Sequence, residues 1–154
     1  FIDTFIFNSN HIDATRPSTL LYCYQNLANL YCRYGDNELA LTMINKAIEH
    51  TPTMPELYIT KAKILKHLGK INEASDSAEE GRKLDLYDRY LNIRSVGYLL
   101  RAGKREQALS TMALFLKEED GDFKTQVDEL QNNWFELLEA EHAIHSFANL
   151  LKLY

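Results

Sequence analysis

Three glycines, Gly35, Gly69 and Gly103, stand 34 residues apart, and each is followed five residues later by an alanine, Ala40, Ala74 and Ala108. Seven residues before the glycines sit small side chains, Ala28, Ala62 and Val96, each followed three residues later by a large one, Tyr31, Leu65 and Leu99. Four positions held in phase over three periods mark an internal repeat, and a period of this length implies stacked supersecondary units rather than one irregular core. The residue types describe the unit. Small side chains let two antiparallel helices approach to about 8–10 Å, and the large ones fill the space that remains. Each glycine follows a helical stretch ending in Arg33-Tyr34, His67-Leu68 or Arg101-Ala102, where it can take the left-handed conformation that stops a helix.

Composition agrees with a helical reading. The chain has 154 residues, 45% of them hydrophobic, with only six glycines and three prolines. A chain this long removes roughly 70% of its unfolded surface from water without disulfides or a structural metal. Its apolar runs, such as Tyr98-Leu99-Leu100, fall far short of the about 20 residues a membrane span needs. The first ten residues, FIDTFIFNSN, carry no positive region, apolar stretch or small-residue cleavage site that would mark a secretory leader, and the chain does not begin with Met, as a segment of a longer protein would not. Cys23 and Cys32, if on one helix, lie about 13 Å apart along its axis, so they are expected to be free thiols in a reducing, cytoplasmic setting. The net charge of −5 argues against nucleic acid as the main partner.

The pattern resembles the tetratricopeptide repeat. Residues 21–54 match it most fully, with Tyr24, Leu27, Ala28, Tyr31, Gly35, Ala40, Ile44, Ala47 and Pro52. Residues 55–88 keep Tyr58, Ala62, Leu65, Gly69, Ala74 and Ala78 but carry Gly81 and Leu86 where alanine and proline are usual; residues 89–122 keep Leu99, Gly103 and Ala108 and substitute Asn92 and Phe115. A fourth unit, 123–154, has a helical pattern through Val127, Leu130, Trp134, Leu137, Leu138, Ile144 and Phe147 without a turn glycine, as one continuous helix or an atypical pair. The expected fold is all-α, a right-handed superhelix of such repeats over 17–154. Residues 1–16 read as a linker or the tail of a preceding repeat, and Pro17-Ser18-Thr19 as the lead-in to a helix starting near Leu20.

Two motifs suggest chemistry that their context denies. Arg94-Ser95-Val96-Gly97-Tyr98-Leu99 approaches an acetyl-CoA pyrophosphate loop, but it lacks the last small residue and falls inside a predicted helix. Glu139-Ala140-Glu141-His142 has the Glu-x-x-His spacing of di-iron bundles, which require a second copy that is missing, so a solvated or locally paired face with His145 one turn on is the expectation and no metal site is assigned. His11, His50, His67, Cys23 and Cys32 have no nameable nucleophile or base partner in the sequence.

The repeat resemblance implies a concave surface built from the first helix of each unit: Tyr22, Gln25, Asn29, Cys32 and Arg33, then Glu56, Ile59, Lys63, Lys66 and His67, then Tyr90, Ile93, Gly97, Leu100 and Arg101. A partner-binding groove is expected there through Arg33, Lys63, Lys66, His67, Tyr90 and Arg101. Its sign is opposite to that of the chain as a whole. Lys63 and Lys66 leave the same helix face, with Lys70 beyond them, and suit a phosphate cluster or a carboxylate-rich partner if they are more than a solvated stripe.

A more specific resemblance rests on Ile44 to Lys70, with Thr51-Pro52-Thr53, Glu56-Leu57 and Lys61-Ala62-Lys63, and on Asn72-Glu73-Ala74, Leu84-Asp85, Asp88-Arg89-Tyr90 and Trp134-Phe135-Glu136. Over residues 17–150 the chain is similar to a central segment of the auxiliary subunit of the N-terminal acetyltransferase A complex. The resemblance implies a non-catalytic scaffold that wraps a small catalytic acetyltransferase subunit and anchors it at the ribosome through other parts of the chain. It also implies inositol hexakisphosphate at the subunit interface, held by Lys63 and Lys66 with Arg94 nearby; Gly97 departs from the family's lysine there. The alternative is a tetratricopeptide adaptor for acidic C-terminal peptides of chaperones, which Asn29, Lys63 and Lys66 superficially echo.

Overall fold

The computed structural model describes residues 17–116 and 133–151, and all regular structure among them is α-helical. Seven helices follow in order: α1 Pro17–Tyr34, α2 Asn37–His50, α3 Pro55–His67, α4 Ile71–Leu84, α5 Arg89–Arg101, α6 Arg105–Ala113 and α7 Asn133–Leu151. They fall into two units, one within residues 1–84 and one within 85–154.

Local chemistry fixes the helix ends. Gly35, Gly69 and Gly103 take φ of 86°, 76° and 75°, the left-handed region that only glycine enters without strain. In each turn the residue after glycine donates back to the carbonyl of the repeat's large residue: Asp36 N to Tyr31 at 3.0 Å, Lys70 N to Leu65 at 3.0 Å and Lys104 N to Leu99 at 2.9 Å. This is the six-to-one bond of a Schellman ending. The next helices start on different devices. The Asp36 carboxylate accepts from Leu39 N at the head of α2, and the Asp88 carboxylate accepts from Tyr90 N and Leu91 N at the head of α5. Pro55 begins α3, where a missing N–H costs nothing. Pro17 likewise lies within α1 rather than ahead of it, so that helix begins three residues earlier than its sequence suggests.

In the first unit α1 packs on α2, α2 on α3 and α3 on α4, with α1 also touching α3. The small residues lie where the helices meet: Ala28, Ala40, Ala47, Ala62, Ala74 and Ala78 are all fully buried. Leu27, Ile44, Leu57 and Ile64 fill the core between them, and Tyr24 and Tyr31 pack against it from the side. Helix α4 contributes little apolar bulk. Its Ser77 hydroxyl is buried and donates to the Tyr58 carbonyl of α3 at 3.0 Å. Gly81 lies against Pro55 and Tyr58, where an added Cβ would come within 3.0 Å and 2.9 Å of their atoms.

In the second unit α5 packs on α6 and on α7, around Val96, Leu99, Leu100, Ala108, Met112 and Phe135. Asn92, standing where the first two repeats carry tyrosine, is buried and satisfied: its amide donates to the Thr111 carbonyl at 2.8 Å. Trp134, Leu137, Leu138, Ile144 and Phe147 all fall on α7, which is one helix over its described length. The expected linker 1–16 and the first ten residues of the fourth unit, 123–132, lie outside the described residues.

Candidate functional site

In the first unit the expected basic surface forms on α3. Lys63, Lys66 and His67 occupy i, i+3 and i+4 and so share one helix face. Both lysines are half-buried, His67 is exposed, and neither lysine is in an ion pair among the described residues. The local field registers in His67, whose pKa lies below the ordinary 6.5, first through desolvation and then through the charges of Lys66 and Lys63. Its ring is also tied to the preceding repeat, with the Cys32 Sγ 3.2 Å from His67 Nδ1. Arg33 is exposed on α1, next in sequence to that thiol. Two unneutralised ammonium groups in one turn have the charge and the donors that a cluster of phosphates requires.

In the second unit Tyr90, Arg94 and Arg101 are exposed on α5. Arg94 lies over the Tyr98 ring, 5.7 Å from its centroid. Burial pushes the Tyr98 phenol above 10.0, and the Arg94 charge opposes that rise. Arg101 donates from Nη1 to the Gly97 carbonyl at 3.3 Å. Between α5, with Arg94, Gly97 and Arg101, and α7, with Trp134, Leu137 and Leu138, runs an open cleft of about 390 Å³. The periodicity of α7 made these three residues legible as helix. Their place opposite Gly97 was not, because it depends on how α7 lies on α5.

Several positions expected on the concave surface are buried instead. Cys32, Ile59 and Leu100 are 7%, 6% and 0% exposed; Cys32 belongs to the α1–α3 core and Leu100 to the core that Phe135 of α7 closes. Gly97 is buried too, although it borders the cleft. Asn29, which the adaptor alternative needs facing a ligand, donates its amide to the Gln25 carbonyl of its own helix at 3.0 Å.

The two motifs set aside above both lie on helices, α5 and α7. Arg94 to Leu99 lies inside α5, where the backbone amides are committed to the helix and cannot cradle a pyrophosphate. Glu139 forms an ion pair with Arg105 at 2.7 Å, and no group of three metal-ligating side chains occurs among the described residues. The side chain of His145 lies outside them. No helix of the described residues is long and apolar enough to cross a membrane.

The sequence model of the family described as the auxiliary subunit of N-terminal acetyltransferase A matches residues 5–151. Among curated relatives, the N-terminal acetyltransferase A complex auxiliary subunit NAA15 of Arabidopsis thaliana is 41% identical over 79% of this chain and 13% of its own length. The human N-alpha-acetyltransferase 16, NatA auxiliary subunit, is 36% identical over 88% of this chain and 16% of its own. The chain thus spans less than a fifth of either relative. A solved structure of Naa15/Naa10 bound to HypK-THB contains a chain superposing with a TM-score of 0.78 at 33% identity, over 82% of this chain and 20% of that one. The Yersinia enterocolitica translocator chaperone SycD superposes at 0.60 with 20% identity, a likeness of fold alone.

Proposed function

Because this chain belongs to the family of N-terminal acetyltransferase A auxiliary subunits, we propose that it is a non-catalytic scaffold segment that binds and activates a catalytic acetyltransferase subunit. The observation that carries this reading is the match to the family over nearly the whole chain, together with a structural relative described in complex with Naa10. Chemistry then belongs to the partner. The scaffold's contribution is geometric, because holding reacting groups in a productive orientation can lower a barrier by several kcal/mol, of the about 7–11 that full positioning can supply. The setting is co-translational, in the cytoplasm, with ribosome contacts made by other parts of the full-length chain.

Within this reading, Lys63 and Lys66 hold the phosphates of inositol hexakisphosphate from one face of α3. Arg94, expected beside them, lies in the second unit with its guanidinium over the Tyr98 ring. Bound polyanion would neutralise two half-buried ammonium groups that lack carboxylate partners among the described residues. Affinity purification of the full-length protein from its own cytosol, with mass spectrometry and a peptide acetylation assay on the eluate, tests the reading. A small acetyltransferase in the eluate supports it; chaperones without acetyltransferase activity would leave the repeat fold standing and overturn the functional reading.

A further inference from the structure

Cys32 and His67 form a nucleophile–base pair that neither helix makes alone. Cys32 lies in the last turn of α1 and His67 at the end of α3, with Sγ 3.2 Å from Nδ1 across the repeat boundary. At that distance the thiol can donate its proton to the ring nitrogen, the arrangement in which imidazole deprotonates sulfur. The ring is ready as a base at neutral pH, because desolvation and the charges of Lys66 and Lys63 hold the His67 pKa below 6.5. Neither ammonium group is in an ion pair among the described residues, and Arg33, exposed and next to the thiol in sequence, adds a third positive charge. A field of this sign favours a sulfur anion over a bound metal cation, and no group of three metal-ligating side chains occurs among the described residues. Cys32 is 7% exposed, which limits its reagents to small ones.

From this pair we infer that Cys32 is a modification site for small hydroperoxides, with His67 as its base. His67 Nδ1 takes the thiol proton, and the sulfur attacks the terminal peroxide oxygen. The S–O bond forms as the O–O bond breaks. The departing oxyanion takes the proton from His67 and leaves as water or an alcohol, and Cys32 becomes a sulfenic acid. Sulfur loses the two electrons that the peroxide gains, so the step needs no other reactant. The positive field of Lys63 and Lys66 stabilises both the attacking thiolate and the leaving oxyanion. Cys23 supplies the contrast: it lies on the same helix, is half-buried and so more open to solvent, and has no histidine contact among the described residues. Exposure alone would make Cys23 the faster thiol, and the pairing of Cys32 with His67 reverses that order. The chemistry needs only α1 and α3, so it stands apart from the scaffold reading.

The test treats full-length protein with hydrogen peroxide while dimedone, which traps sulfenic acids, is present throughout, and follows the Cys32 and Cys23 peptides by mass spectrometry. Cys32 is expected to label at least threefold faster than Cys23 in the folded protein, and the excess to vanish in urea, where the pair is broken. His67→Gln, at an exposed position, should lower Cys32 labelling at least threefold and leave Cys23 unchanged. Circular dichroism checks that the variant is folded; if it is not, the comparison of folded and urea-treated unaltered protein decides. Labelling of Cys32 no faster than Cys23 in the folded protein overturns the inference. So does an excess that persists in urea or in folded His67→Gln, since the ring would then have no part in it. None of these outcomes bears on acetyl transfer, so the scaffold reading stands or falls separately.

Discussion

Cys32 Sγ and His67 Nδ1, 35 residues apart in sequence, lie 3.2 Å from each other, so the last turns of α1 and α3 are joined by a side-chain contact between successive repeats. The contact places a titratable ring at the edge of the Lys63 and Lys66 face and makes that face sensitive to pH. His67 carries a pKa below 6.5, lowered by desolvation and then by Lys66 and Lys63.

The sign of the pH dependence follows. With the folded pKa below the unfolded one, the unfolded chain binds more protons in the window between them, and stability rises with pH there. The contribution is complete above 6.5 and declines as pH falls through 6.5 toward the lower folded value. Thermal unfolding followed from pH 8 to pH 5 should therefore show a component lost on acidification that His67→Gln removes. An unchanged pH profile in the variant would mean that His67 titrates as in an unfolded chain.

Bound polyanion should act on the same ring in the opposite direction, because negative charge beside His67 favours its protonated form. Inositol hexakisphosphate binding by full-length protein is expected to tighten as pH falls from 8 to 6. Calorimetry should show a loss of at least tenfold on Lys63→Glu with Lys66→Glu. Equal affinity in that variant would remove the phosphate from α3.

Gly81→Ala presents two opposed effects whose magnitudes decide the outcome. Alanine favours a helix interior by up to about 1 kcal/mol over glycine. The added methyl, however, would stand 2.9 Å from Tyr58 Cβ and 3.0 Å from the Pro55 carbonyl, atoms fixed to the backbone of α3. Overpacking of this kind costs about 1–3 kcal/mol, so a net destabilisation is expected in chemical denaturation. A stabilised variant would show that α3 and α4 can move apart.

Gly69→Ala isolates backbone strain from packing, since a Cβ at this position meets nothing within 4 Å although φ is +76°. The expected cost is about 1–2 kcal/mol, and less for Gly69→Asn, which tolerates the left-handed region. Equal midpoints for alanine, asparagine and glycine would contradict a left-handed ending to α3.

What the sequence made legible here is whatever recurs locally. The three glycine turns and the buried alanines could be read because each performs the same steric task every 34 residues. Gly81 and Asn92 looked like faults in the repeat; they are a close helix contact and a carbonyl-satisfied amide, and both depend on a facing helix. Leu100 was expected on the surface because the repeat register puts it there, but Phe135 and α7 complete a core around it. The basic face was legible from the spacing of Lys63, Lys66 and His67. The thiol under His67 and the cleft over Gly97 were not, because each is made by residues from two helices whose packing no periodicity specifies.

The role proposed for this chain is that of a scaffold segment whose partner performs the chemistry. The most direct measurement is the initial rate of acetyl transfer to peptide N-termini by full-length protein alone, by the catalytic subunit alone, and by the two together. No transfer by the scaffold alone is expected, and a rate for the pair at least tenfold above that of the subunit alone. Transfer by the scaffold without a partner, or a pair no faster than the isolated subunit, would contradict it.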